Sequence, residues 1–333
     1  MRPVRIFVYE HITGGGCVGE ALPHALLPQA CAMLRALAAD LRVLGHAEVI
    51  GLIDGRLTDA LGDWEQRVIH DRATYEAQFD ALVRESDATW LIAPETDRVL
   101  ERLSARVLAG GKPLLSSRPH AVAIAASKFA TARVLDAAGV PVIGTSRPSE
   151  AQIVGACVAK RDDGCGCEDT RRFAHLPAAQ EWIARQTAPE HFVVQPYVLG
   201  EPISLSVLAA PAHTVLLSVN RQRVEVHDDV FSFAGCLVNA MADADGLLAR
   251  LAQRTVVAIP GLWGYVGIDV LLTAAGPVVV EVNPRLTTSY AGLHAAIGVN
   301  PAELVLGLLD GREPPPMLAL GRRAVEVHVG LDT

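Results

Sequence analysis

Gly267-Ile268-Asp269-Val270-Leu271-Leu272, a turn at Ala275-Gly276-Pro277, then Val278-Val279-Val280-Glu281-Val282-Asn283-Pro284-Arg285 decide how this chain is read. Two apolar runs joined by a Gly-Pro turn predict a β-hairpin. Strand alternation puts residues i and i+2 on one face, so Glu281 and Asn283 project together and pairing can bring Asp269 beside them. Carboxylates are rarely buried unless they are paired or hold a cation. Three oxygen donors on one face of an apolar hairpin suit Mg²⁺, which takes a few protein oxygens and completes its shell with water or phosphate.

Outward from the hairpin, the chain divides in two by its pattern. Strands are expected at Arg5–Tyr9, Glu48–Ile53, Thr89–Ala93 and Leu114–Leu115, alternating with helices over Pro28–Leu44, Tyr75–Arg84 and Thr96–Leu108. That alternation predicts a doubly wound parallel sheet over 1–119. Beyond it, a helix near Lys128 stops at Gly139-Val140-Pro141, because proline cannot continue it. Short strands then follow at Ile153–Lys160, His191–Gln195, Ser204–Leu208 and Thr214–Asn220, with polar turns between them, as in antiparallel sheets. Helices are expected at Asp245–Ala258 and Pro301–Leu309, and Pro314-Pro315-Pro316 reads as a linker signal.

Composition narrows the function classes. Half of the 333 residues are apolar and a fifth are charged, which argues against disorder, and aromatics at 5% favour helices packed on sheets over an aromatic-rich β-sandwich. The net charge is −8 with no Lys/Arg block, so a nucleic-acid partner is not expected. No apolar run approaches the ~20 residues of a membrane span, and the N-terminus lacks a signal-peptide core. A soluble cytoplasmic protein is the expectation. The six cysteines, including the Cys165/Cys167 pair, lack zinc-ligand spacing and are read as free thiols. No Ser-His-Asp order or activated-cysteine signature stands out, and His294 reads as a packing or surface residue.

The Asp269 and Glu281-Val282-Asn283-Pro284-Arg285 arrangement resembles the metal-binding end of the ATP-grasp superfamily. Other parts fall in that family's order. Ser127-Lys128 opens a helix, Val158-Ala159-Lys160 runs into the turn Asp162-Asp163-Gly164-Cys165-Gly166, and Phe192–Glu201 is similar to the hinge between two lobes. The resemblance implies an α/β fold with α+β ATP lobes, in which a first domain (1–119) precedes a small nucleotide lobe (120–197) and a large lobe (198–333). It also implies that Lys128 and Lys160 touch ATP phosphates while Gly164 and Gly166 fold over them. Backbone groups around Gln195, Tyr197 and Val198 would read adenine. Glu201 is the ribose candidate, although Pro202 occupies the family's usual position. Mg²⁺, with Mn²⁺ as an alternative, is the implied metal, held by Asp269, Glu281 and Asn283. A homodimer is compatible with this reading.

Three details resemble more narrowly the tyramine–glutamate ligase group of methanofuran biosynthesis and its bacterial relatives: Arg5–Glu10 followed by Gly14-Gly15-Gly16, the Lys160–Gly166 loop, and Ser218-Val219-Asn220-Arg221-Gln222 continued by Phe233–Cys236. The activity implied is ATP-dependent joining of a small-molecule carboxylate and an amine through an acyl phosphate. L-glutamate and tyramine or tyrosine would be the substrates. Arg285 would hold the transferred phosphoryl group, and Arg221 would clamp the acceptor carboxylate. Glu10, Gly14, Gly15, Gly16 and Asn220 are candidate substrate contacts, and Glu95 ends another strand where such sheets place ligands. Three other readings stand beside this one, the first being a kinase-like transfer that releases a phosphorylated product, since its first chemical step is the same. Gly14, Gly16 and Gly19 match the G-x-G-x-x-G fingerprint of an NAD(P)-binding oxidoreductase, but the acidic residue expected ~20 positions later is displaced to Asp54. A non-catalytic nucleotide-binding module would be expected to have lost its metal ligands first, yet all three are present.

Overall fold

The computed structural model describes residues 2–58, 62–210, 213–313 and 323–329; the proline run at 314–316 lies outside them. Its first sheet is built from β1 (Val4–Glu10), β2 (Ala47–Asp54), β3 (Glu65–Ile69) and β4 (Ala88–Ile92), in the order β3-β2-β1-β4, with every pairing parallel. Parallel strands need crossovers, and α1 (Leu27–Arg42), α2 (Arg72–Glu85) and α3 (Val99–Ala109) cover the two faces. Alternation along β1 divides the packing. Ile6 and Val8 meet Leu34, Leu37 and Leu41 of α1, whereas Phe7 and Tyr9 face Tyr75 and Phe79 of α2. Both faces of β1, β2 and β4 are dry over most of their length, so these three strands read as continuous apolar runs.

Two helices, α4 (Pro119–Ala126) and α5 (Lys128–Ala137), lead into the second half. Ser127 separates them, and its side chain accepts from the Ala130 amide, capping α5. There follow β5 (Cys157–Arg161), β6 (Arg171–Phe173), α6 (Leu176–Ile183), β7 (Phe192–Pro196), β8 (Glu201–Ala209), β9 (Thr214–His227) and β10 (Val230–Met241). After α7 (Leu247–Ala258) come the hairpin strands β11 (Gly264–Thr273) and β12 (Gly276–Asn283), then α8 (Tyr290–Ile297), α9 (Pro301–Leu309) and β13 (Val325–His328). The strands form one mostly antiparallel sheet, β12-β11-β8-β9-β10-β6-β5-β7, with β13 added beside β10. Within the sheet, a single ladder pair, Val230 with Arg171, joins the β5–β6–β7 group to the other strands. That group has its own small core of Cys157, Ala159, Ile183, Phe192 and Val194.

The parallel first sheet and the later antiparallel strands match the sequence expectation. The structure differs in detail where local signals are weak. The strand expected from Ile153 begins only at Cys157, and Leu114 makes one bridge to Thr89 rather than a strand. Unanticipated elements include β3, half exposed and rich in polar residues, and β10, interrupted by Gly235 at φ 127°. α8 also went unread; it is buried against α1 in the core shared by the first domain and the later sheet. No single helix among the described residues is long and apolar enough to cross a membrane.

Candidate functional site

β11 and β12 pair so that Asp269 lies opposite Glu281 and Gly267 opposite Asn283, with a bulge following Asp269. The Asn283 Nδ2 donates to Asp269 Oδ2 at 3.3 Å, which leaves the Asn283 Oδ1 to turn outward. Two carboxylates brought face to face in a buried position repel each other. Burial and then Glu281 push the Asp269 carboxyl well above the usual carboxylate range. Burial would raise Glu281 also, but Lys128 and Lys160 outweigh it and hold that carboxyl low. The donor set is hard oxygen, preassembled and electrostatically frustrated, and it fits a divalent cation.

Two lysines approach from separate elements. Lys128 opens α5, where its ammonium lies 3.3 Å from Glu281 Oε2 and donates to the Gly164 carbonyl at 2.6 Å. Lys160 stands near the end of β5, and burial lowers its ammonium to about 8 against the opposing pull of Glu281. No hydrogen-bond partner for the Lys160 ammonium is found among the described residues, so its donors remain available to an anion. Asp162 anchors this corner. It accepts from the Phe129 amide, Ser127 Oγ and Arg147, each at 2.8 Å, and so ties the β5–β6 turn to the start of α5.

These groups border a cavity of about 400 Å³. Gly164 and Gly166 of the glycine-rich turn form part of its wall, and Gly166 leans on Leu26 just ahead of α1. Gln195, Tyr197 and Val198 also line the cavity. The Gln195 amide is held by Thr145 Oγ1 at 2.8 Å, and the Tyr197 amide donates to Ala156 O. Val198 follows the end of β7, and its amide has no backbone partner among the described residues. Glu10, Ile12, Leu26, Gln29 and Met33 of the first domain line the same cavity, as does Arg285. Burial opposes the Arg285 charge, but Glu95 more than restores it, accepting from Nη2 at 2.8 Å and Nε at 3.1 Å. Glu10 is 3% exposed; burial raises its carboxyl, although the Thr13 amide and hydroxyl donate to it at 2.7 Å.

Several expected contacts are not at the cavity. Arg221 and Glu201 pair with each other on the opposite face of the sheet, so neither the carboxylate clamp nor the ribose role is placed there. Alternation is the cause. On β9 the charged residues Arg221, Arg223 and Glu225 share one side, while Gln222, Val224 and Val226 face the cavity. Asn220 shares the inner parity, but it is fully buried under the network of Ser204, Ser206 and Ser218 and does not border the cavity. Gly14, Gly15 and Gly16 form a tight turn instead of a substrate loop. A Cβ on Gly14 would meet Glu10 O at 2.5 Å, and one on Gly16 would meet the His11 ring at 2.2 Å. None of the fingerprint glycines Gly14, Gly16 and Gly19 borders the large cavity. Gln222 was overlooked, although the alternating charges of Asn220–Val226 already marked its face. His294 packs as expected, against Asp40 at 2.6 Å.

Comparison with known proteins agrees with this architecture. Residues 125–289 match a family model described as an ATP-grasp domain, and 47–122 match a pre ATP-grasp 3 domain. The chain is similar to a tyramine–L-glutamate ligase of Methanocaldococcus jannaschii, at 29% identity over 68% of this chain and 64% of that one. It thus spans just under two thirds of that relative's length. A tyramine–L-glutamate ligase of Methanocaldococcus fervens is 27% identical over 80% of this chain and 82% of its own. Among solved structures, a protein of Archaeoglobus fulgidus described within the ATP-grasp superfamily superposes with a TM-score of 0.72. It is 24% identical and covers 93% of this chain and 89% of that one. With the paired family models, the parallel first sheet and the acidic hairpin in agreement, the chain belongs to the ATP-grasp proteins and resembles their tyramine–L-glutamate ligase group.

Proposed function

We propose that this chain is an ATP- and Mg²⁺-dependent carboxylate–amine ligase that joins the side-chain carboxylate of L-glutamate to an amine such as tyramine. The observation that carries the reading is one cavity bordered by the Asp269–Glu281–Asn283 donor set, two buried lysines, Arg285 and the carboxylate of Glu10. A carboxylate does not react with an amine until one oxygen becomes a leaving group. Attack of that oxygen on the γ-phosphorus of ATP releases ADP and gives an acyl phosphate. Attack of the amine nitrogen on its carbonyl carbon then expels phosphate, and the nitrogen gives up a proton to leave an amide.

Asp269, Glu281 and Asn283 would hold Mg²⁺, which when bound neutralises phosphate charge. Lys128 and Lys160 add fixed positive charge where phosphate oxygens gain negative charge, at no cost in reorganisation. Arg285, fixed by Glu95, keeps unused N–H donors for the acyl phosphate. Glu10 supplies the anion for an ammonium, and Ile12, Leu26 and Met33 supply an apolar wall beside it. Gln29 accepts from Thr288 Oγ1 at 3.1 Å and keeps its NH₂ free to donate to a carboxylate. With the walls closed, water that would hydrolyse the acyl phosphate is kept out.

The test is incubation with ATP, Mg²⁺, L-glutamate and each of a panel of amines, read by ADP release and mass spectrometry. A glutamyl amide with ADP is expected. ADP with other acids but never with glutamate overturns the substrate assignment, and no ADP with any pair overturns the ligase.

A further inference from the structure

Asp269 is the most awkwardly placed of the three oxygen donors. Glu281 faces it across the hairpin, and the bulge that follows it loosens the ladder at that point. A carboxylate so placed turns away from its neighbour unless its oxygens are held. One is held from within the hairpin, by Asn283 Nδ2 at 3.3 Å. The other is held from elsewhere, by Gln222 Nε2, which donates to Asp269 Oδ1 at 2.9 Å. The amide presents its NH₂ end, the donor, to that oxygen, as a carboxylate that holds a cation and only accepts hydrogen bonds requires. The Gln222 carbonyl accepts no hydrogen bond among the described residues, and the side chain borders the cavity.

Gln222 comes from β9, two strands away in the sheet order, with β8 between β9 and β11. Its neighbours along the same face, Val224 and Val226, are apolar. A glutamine here adds little to the packing of the sheet, and its amide is spent on one oxygen of one acid. Resting on the ATP–metal reading above, we infer that Gln222 is a positioning residue for the metal site, fixing the Asp269 carboxylate in the orientation that binds the cation. Partners of this kind, one step removed from the metal, typically change metal affinity 10–100-fold when removed.

The experiment titrates Mn²⁺ in the presence of ADP against the whole chain, following the melting temperature and, by electron paramagnetic resonance, the bound fraction of the ion. Gln222→Met, unbranched and close in volume, is the main variant, and Gln222→Leu is a second should the first fail to fold. The expected result is a half-saturating Mn²⁺ concentration raised about tenfold or more, with the metal-free melting temperature near that of the parent chain. A Mn²⁺ titration that overlays the parent's, whether or not the metal-free chain is destabilised, overturns the inference and leaves Gln222 an ordinary packing residue. No Mn²⁺–ADP response in the parent chain refutes the nucleotide reading, and this inference with it.

Discussion

Replacing Glu95 by leucine tests how far the first domain organises the cavity. Arg285 and Glu95 stand 190 positions apart in sequence and meet with side chains 11% and 7% exposed. Glu95→Leu strands a buried guanidinium. Breaking such a pair from one side costs about 3–5 kcal/mol. Two features of this site place the loss at the lower end. Glu281 also acts on Arg285, and Glu95 Oε1 is itself buried without a partner, so removing it recovers about 1 kcal/mol. The expected net loss is therefore about 2–3 kcal/mol. Glu95→Leu with Arg285→Met removes both charges and should return to within about 1 kcal/mol of the parent chain. Urea unfolding followed by tryptophan fluorescence reads this, since Trp90 is 2% exposed in the first domain's core. A single variant as stable as the parent, or a double variant no better than the single, refutes the reasoning.

Four further outcomes are expected. Glu281→Gln should remain folded by its melting curve yet release no ADP, because it withdraws charge from the metal site with little change in volume. Mg²⁺ with ATP should raise the melting temperature, whereas NAD⁺ and NADPH should not, since only a ligand of the native state stabilises it. Burial, then Arg72 and Arg102, lowers the His11 imidazole to about 4; the unfolded chain therefore takes up a proton near pH 6.5 that the folded chain refuses. Stability is full above that pH and falls by up to about 3 kcal/mol toward pH 4, and His11→Gln should flatten that slope in urea melts at pH 7 and 4.5. Gly235 has φ 127°, and a Cβ there would meet Val327 O at 2.3 Å, so Gly235→Ala should lose roughly 2 kcal/mol, read as a lowered melting temperature.

The acidic hairpin was legible because its signal is local: two apolar runs, a Gly-Pro turn and acids at matched parity. The first domain was legible for a similar reason, since strand and helix periods alternate without interruption. Lys128 and Lys160 carry no such pattern. Their meeting with Glu281 depends on how α5 and β5 fold back on β12, and only family resemblance pointed to them. Arg221 and Glu201 failed on parity, since near Asn220 both faces of β9 are buried and hydropathy alone does not fix which side faces in. Gly14-Gly15-Gly16 drew attention as a ligand loop, yet contacts with Tyr9, His11 and Ile69 account for the absence of side chains there. β3 and β10 were missed because polar residues and glycine weaken strand propensity, and tertiary pairing overrides it.

The single pairing of Val230 with Arg171 gives the β5–β6–β7 group a mechanical independence that its place in one sheet conceals. A strand joined along its length can swing only by breaking a row of hydrogen bonds, whereas one joined at its tip pivots about a point. Within the sheet the Lys160-bearing group can therefore tilt about that point with both ladders intact, once the contacts of Asp162 with α5 and of Asp163 with Thr96 and Asp97 give way. In amide hydrogen exchange the two halves should behave as separate protection units: Val158–Lys160 and Val193–Gln195 would exchange together, and independently of Ile203–Leu208.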